Sequence, residues 1–83
     1  MEFNVMDKIL GARNLRSKGY KAIAEYITEN TKQAAFMTAG AIAKEIGVSE
    51  STVVRFASSL GYSGYPEFHK ALGQWVQEQM NDT

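Results

Sequence analysis

Apolar residues recur along this chain at three- and four-residue intervals, broken by short polar or glycine-containing segments, and nowhere alternate as strands require. Phe3, Met6, Ile9 and Leu10 give a first amphipathic helix over about Asn4 to Arg13. Ser17 is an N-cap type ahead of a second helix reaching Glu29, with Tyr20, Ile23, Ala24 and Ile27 as its stripe. Asn30 suits either the end of that helix or the cap of a short turn over Thr31 to Ala35, and Phe36 and Met37 then read as core anchors. Thr38 is placed to cap a helix that carries Ile42, Ala43 and Ile46 on one face. Gly47 suits the left-handed conformation that ends a helix, and Ser49 is a good cap for the next, whose stripe is Val53, Phe56, Ala57 and Leu60. The segment GYSGYPEF is a loop from which Tyr62 and Tyr65 should fold back onto the core. Pro66 fits the first turn of a last helix over about 66–79, with Phe68, Leu72, Trp75 and Val76 on one side, and Asn81 to Thr83 should fray. The pattern predicts an all-α fold: one domain over 1–83, a compact bundle of about five helices.

Two helices meeting steeply across a tight turn form a helix-turn-helix, whose second helix can enter a DNA major groove. Residues 38–60 have that layout. Ala43 leaves room for close helix approach, Gly47 makes the turn, and Val53 packs the second helix back, an order and spacing that resemble the bacterial motif. With Val53, Phe56, Ala57 and Leu60 inward, about 100° per residue points Ser51, Arg55 and Ser58 outward and leaves Thr52, Val54 and Ser59 beside them. A solvated face would more usually hold several lysines and glutamates, which favour helix and solubility. Short side chains instead let a helix backbone sit deep in a groove while hydroxyls reach phosphates or base edges. Arg55 can make a bidentate contact to guanine, worth ~1–3 kcal/mol of discrimination; its alternative is an ion pair with a nearby glutamate. The expected DNA-binding set is Thr38, Ser49, Glu50, Ser51, Thr52, Arg55, Ser58 and Ser59, with Thr38 offering a helix N-terminus to a backbone phosphate.

Composition narrows the chemistry. Hydrophobic residues make up 45% and charged ones 22%, an ordinary globular balance, and the absence of cysteine removes disulfides, thiolate catalysis and cysteine-based metal sites. The lone His69 has no evident carboxylate partner, Glu50 is accounted for by the dipole of the helix it begins, and Gly61-Tyr62-Ser63-Gly64 lacks the lysine and spacing of a phosphate loop. No catalytic residue, metal or cofactor is expected. No apolar run approaches the ~20 residues that span a bilayer, and MEFNVMDKIL is not a secretory signal, so a cytoplasmic protein is expected. Net charge is zero, but five basic residues (Lys8, Arg13, Arg16, Lys18, Lys21) run without an acid between them. They form either a solvated face or a DNA-side patch. So few cationic contacts release few counterions, which predicts weak binding by an isolated domain and a reliance on dimerisation.

Ala24-Glu25-Tyr26-Ile27, Ala35-Phe36-Met37-Thr38, Gly47 through Phe56 (GVSESTVVRF), then Leu60 through Tyr65 (LGYSGY) with Glu67-Phe68, follow one another as in the RpiR family of bacterial transcriptional regulators of sugar metabolism, which the chain resembles over about Met6 to Leu72. The resemblance implies an N-terminal domain that binds double-stranded DNA, with Ser49 to Ser59 as the recognition helix. It also implies a homodimer or higher homo-oligomer in the full-length context, and a phosphosugar effector bound only through a sugar isomerase-like (SIS) domain absent from this chain. The chain departs from the family in the first helix of the motif, usually Thr-Ile-x-Glu-Leu-Ala and here Thr38-Ala39-Gly40-Ala41-Ile42-Ala43. Its capping glutamate is missing and a glycine has entered, which predicts a weaker helix. Ser17-Lys18-Gly19-Tyr20 also departs from a more acidic helix start. The competing reading is a helical protein-interaction or dimerisation module without DNA binding, docking through Phe68, Leu72, Trp75 and Val76.

Overall fold

Polar caps divide the chain into helices close to where the apolar pattern places them. The computed structural model describes residues 4–12 and 17–81. Among them are six helices and no strand: α1 Val5–Ala12, α2 Lys18–Glu29, α3 Thr31–Ala34, α4 Ala39–Ile46, α5 Glu50–Ser59 and α6 Tyr65–Asn81. Asn4 opens α1 reciprocally with Asp7: the Asp7 N–H donates to Asn4 Oδ1 at 2.8 Å and the Asn4 N–H to Asp7 Oδ2 at 3.4 Å. Ser17, Thr38 and Ser49 cap α2, α4 and α5 as their residue types predict, each hydroxyl accepting from the N–H three residues on. At the start of α6 the Ser63 N–H donates to Glu67 Oε2 at 2.6 Å. Hydrogen bonds from Ser63, first its side chain and then its backbone, hold the Glu67 carboxyl below the usual range, with Lys8 adding attraction.

The inward stripes meet in one apolar core. Ile9, Ile23, Ile27, Ile42, Val53, Phe56, Phe68 and Leu72 are fully buried, and no polar or charged side chain among the described residues is. Each such side chain contributes roughly 1.5–3 kcal/mol by leaving water. Phe56 of α5 meets Tyr20 of α2 edge-on at 5.7 Å and Phe68 of α6 at 6.1 Å. The recognition-helix candidate is thus gripped from both sides of its buried face. Tyr62 and Tyr65 do fold back, each ring within 5.8 Å of Phe68. The Tyr65 hydroxyl donates to the Met37 carbonyl at 2.6 Å, and burial pushes its pKa up to about 12.

Several boundaries and faces differ from the sequence reading. Thr31 to Ala34 is a helical turn in its own right, because Asn30 ends α2 and begins α3 and the Thr31 hydroxyl donates back to the Ile27 carbonyl at 2.8 Å. Phe36 is not a core anchor: it is 86% exposed. Ala34 and Ala35 take the inward positions of that turn, and the Phe36 N–H closes onto Gln33, turning the ring outward. Leu10 is 42% exposed, since Val5, Ile9 and Ala12 set the buried line of α1 and Leu10 lies 100° round from Ile9. The last helix starts one residue before Pro66 and continues to Asn81. Phe3, Arg13, Arg16 and the last two residues lie outside the described residues. No helix among the described residues is long and apolar enough to cross a membrane.

Candidate nucleic-acid interface

Gly47 creates the turn of the motif. Its φ of 85° is left-handed, a region costly for a residue with a Cβ, and its N–H and that of Val48 both return to the Ala43 carbonyl, at 2.8 and 3.0 Å. The chain can then leave α4 and enter α5 across three residues, Gly47 to Ser49, so α4 and α5 pack directly on each other with α2 lying against both. Ile42, Ala43, Val53, Phe56 and Ala57 are buried in that packing. The opposite side of α5 is left to solvent: Ser51, Val54, Arg55, Ser58 and Ser59 are exposed and Thr52 is half-buried.

The hydroxyls of the expected set differ in what they already hold. Ser49 Oγ accepts from the Thr52 N–H at 3.2 Å and lies 2.7 Å from Thr52 Oγ1 and 3.1 Å from Ser51 Oγ, so these three form one cluster over the first turn. The Ser59 hydroxyl donates to the Phe56 carbonyl at 2.6 Å, leaving it only acceptor capacity for a ligand. Thr38 Oγ1 accepts from the Ala41 N–H at 3.1 Å. Glu50, the glutamate just before Arg55 in sequence, directs its carboxylate at α4: a Cβ on Gly40 would stand 3.0 Å from Glu50 Oε2. The first turn of α4 therefore has an acid beside it after all, delivered from α5 rather than from its own third position.

The structure also joins to this face a region that sequence alone left unplaced. Ser17, Gly19 and Tyr20 of the α2 start form one side of a shallow cleft of about 680 Å³, and Val48, Ser49, Thr52 and Arg55 form the other. A Cβ on Gly19 would lie 3.3 Å from Thr52 Cγ2, so this glycine lets α2 approach the front of α5. Lys18 and Lys21, both exposed, belong to that same end of α2. Val48 and Ser17 were not in the expected set; the signal that could have pointed to the α2 start is Gly19 in its first turn, otherwise a poor way to start a helix.

A short turn, a second helix buried on one side and hydroxyl-rich on the other, and a third helix braced across both define the helix-turn-helix class. The helix-turn-helix domain of the rpiR family matches residues 3–79, nearly the whole chain, and the chain belongs to that family. It is 38% identical over 71 residues to the HTH-type transcriptional regulator HexR of Pseudomonas aeruginosa, covering 86% of this chain and 25% of that protein. An uncharacterised HTH-type transcriptional regulator of Clostridium perfringens is 27% identical over 77 residues, 93% of this chain and 28% of its own length. The uncharacterised regulator YfhH of Escherichia coli is 37% identical over 59 residues, 71% and 21% of the two chains. The chain thus spans about a quarter of the length of these curated relatives. No solved structure matches it significantly.

Proposed function

We propose that the chain is a sequence-specific double-stranded DNA-binding domain of a bacterial transcriptional regulator, reading one half-site through α5. The observation that carries this is the division of α5 into a fully buried face and an outer face of Arg55, Val54 and hydroxyls. Arg55 is the main discriminator, aimed at a guanine edge in the major groove. Exposed Val54 offers an apolar contact to a thymine methyl beside it. Ser51, Ser58 and Ser59 reach phosphate or base edges, while Ser49 and Thr52 set the helix start and present it to the backbone. Thr38 adds a phosphate contact at the start of α4, with Glu50 holding that turn in place. The α2 start that lines the cleft beside Arg55 also carries exposed Lys18 and Lys21, whose part in this reading is further phosphate contacts.

The finer role is regulation of sugar or sugar-phosphate metabolism by a longer protein that dimerises and senses a phosphosugar through an SIS domain. Family likeness supports that role, and the residues of this chain carry only its DNA-reading part. The interaction-module reading loses its docking face, since Phe68, Leu72 and Val76 are buried in the chain's own core and Trp75 is half-buried against it. The test is a salt titration of binding to operator-selected and random DNA, with wild type and Arg55→Ala. If Arg55 reads a base, its removal costs ~1–3 kcal/mol on the selected site and far less on random sequence. Equal losses on both would make Arg55 a phosphate contact, and no binding to either at low salt would remove the DNA reading.

A further inference from the structure

The outer face of α5 is not symmetric in charge. With about 100° per residue, and Val53, Phe56 and Ala57 marking the buried side, Glu50 and Val54 fall together on one edge of that face. Arg55 and Thr52 fall on the other, which lines the cleft to the α2 start. The first edge borders α4: the Glu50 carboxylate rests over the first turn of that helix, 3.0 Å from where a Cβ on Gly40 would stand. Glu50 is exposed and is the first residue of α5, in the turn from which recognition helices address base edges. The helix dipole favours a negative charge there. It does not explain why that charge stands at the rim of a face meant for a polyanion, where it opposes every phosphate it approaches.

We propose that Glu50 is a second base-reading residue, accepting a hydrogen bond from the N4 amino group of a cytosine in the major groove. The proposal rests on the DNA reading above and deepens it. An ionised carboxylate offers only acceptors. Cytosine N4 presents it with a donor, whereas guanine O6 and N7 and thymine O4 are acceptors and repel it. Adenine sets an N7 acceptor beside its N6 donor, which leaves cytosine the better partner. Glu50 thus adds specificity partly by making wrong sites worse. Arg55, with donors only, has the reverse preference. The two residues are five positions apart in α5, about 7.5 Å along the axis, or roughly two base-pair steps of about 3.4 Å. With α5 lying along the groove, the cytosine read by Glu50 stands about two to three pairs from the guanine read by Arg55. Docking also frees the carboxylate for this role. A backbone phosphate at Thr38 competes for the same first turn of α4, and like charges do not share one helix end, so the phosphate displaces Glu50 from its resting place.

The test is selection from a randomised duplex library by the 83-residue chain at low salt, followed by titration of the selected site and of random DNA. Wild type should enrich a cytosine about two to three pairs from the guanine whose preference is lost in Arg55→Ala. Glu50→Gln, which replaces the charge by an amide of the same shape, should cut discrimination at that cytosine by roughly 5- to 150-fold or turn it to adenine. It should also bind random DNA several-fold more tightly. Glu50→Asp keeps the charge at the helix start on a shorter stem, so it should lose the cytosine without gaining affinity for random DNA. A Glu50→Gln selection that enriches the same bases with the same discrimination overturns the proposal and leaves the DNA reading intact. Equal gains on selected and random DNA also overturn it, making Glu50 a repulsive charge and no reader. A wild type that enriches no sequence removes the DNA reading and this proposal together.

Discussion

Replacing Gly40 by alanine tests whether the acid that α4 lacks in sequence is supplied across the turn by Glu50. In an isolated helix the exchange would stabilise by up to ~1 kcal/mol, because alanine loses less backbone entropy than glycine. Here the new Cβ would stand 3.0 Å from Glu50 Oε2 and 3.6 Å from its Cδ. Glu50 is exposed, so the carboxylate can swing away at little steric cost. What it then loses is part of its attraction to the positive end of α4, typically ~0.3–1 kcal/mol. The net gain from Gly40→Ala should therefore shrink to between about 0 and 0.7 kcal/mol in the wild-type background. With Glu50→Gln the charge is already gone, and the gain should return to nearly ~1 kcal/mol, or about 4–8 °C in Tm for a domain of this size. Urea unfolding of the four proteins, followed by far-ultraviolet circular dichroism, gives the coupling directly. It should be ~0.3–1 kcal/mol at low ionic strength and fade in 1 M salt, where screening reaches ~3 Å. Additive effects at low salt would refute the cross-turn role of Glu50. A loss of more than about 1 kcal/mol in both backgrounds would show instead that the backbone at position 40 demands glycine.

Gly47→Ala should destabilise the domain by roughly 1–2 kcal/mol, since its φ of 85° penalises any Cβ and nothing nearby compensates; an unchanged urea midpoint would contradict this. Tyr65→Phe leaves the Met37 carbonyl without its 2.6 Å donor and should cost about 1–3 kcal/mol. In wild type, the Tyr65 proton is held more tightly folded than unfolded, so its contribution is complete below pH 10 and lost as pH rises towards about 12. The alkaline limb of stability should be shallower in Tyr65→Phe, and identical limbs would show that another group sets it. Exchange of thymine for uracil within a selected operator should weaken binding by wild type but not by Val54→Ala, if Val54 touches a thymine methyl; equal weakening of both would place Val54 away from the bases.

The helices were legible because periodicity and capping agree along most of the chain. Ser17, Thr38, Gly47 and Ser49 each mark a boundary by a mechanism local to a few residues, and each boundary falls where that mechanism puts it. Misreadings arose where the deciding interaction was not local. Phe36 looked like a core residue because hydrophobicity says a side chain prefers burial, not whether a place remains for it; Ala34 and Ala35 had taken the inward positions. Leu10 failed the same way beside Ile9. Tyr65 begins α6 rather than ending the loop because a partner 28 residues away, the Met37 carbonyl, fixes its hydroxyl.

Glycine is where sequence and structure inform each other most. From the sequence, Gly19, Gly40 and Gly73 are three versions of one penalty, a residue that weakens the helix holding it. In the fold they separate by what faces the absent Cβ. At Gly19 it is Thr52, so the glycine draws the α2 start onto the front of α5 and shapes the cleft beside Arg55. At Gly40 it is the Glu50 carboxylate, so a missing capping acid and an intruding glycine become one arrangement that ties the two helices of the motif together. At Gly73 it is empty space bordered by apolar side chains. The first two penalties are offset within the chain, by packing and by charge. Nothing among the described residues offsets the third, so of the three only the Gly73 penalty stands in full.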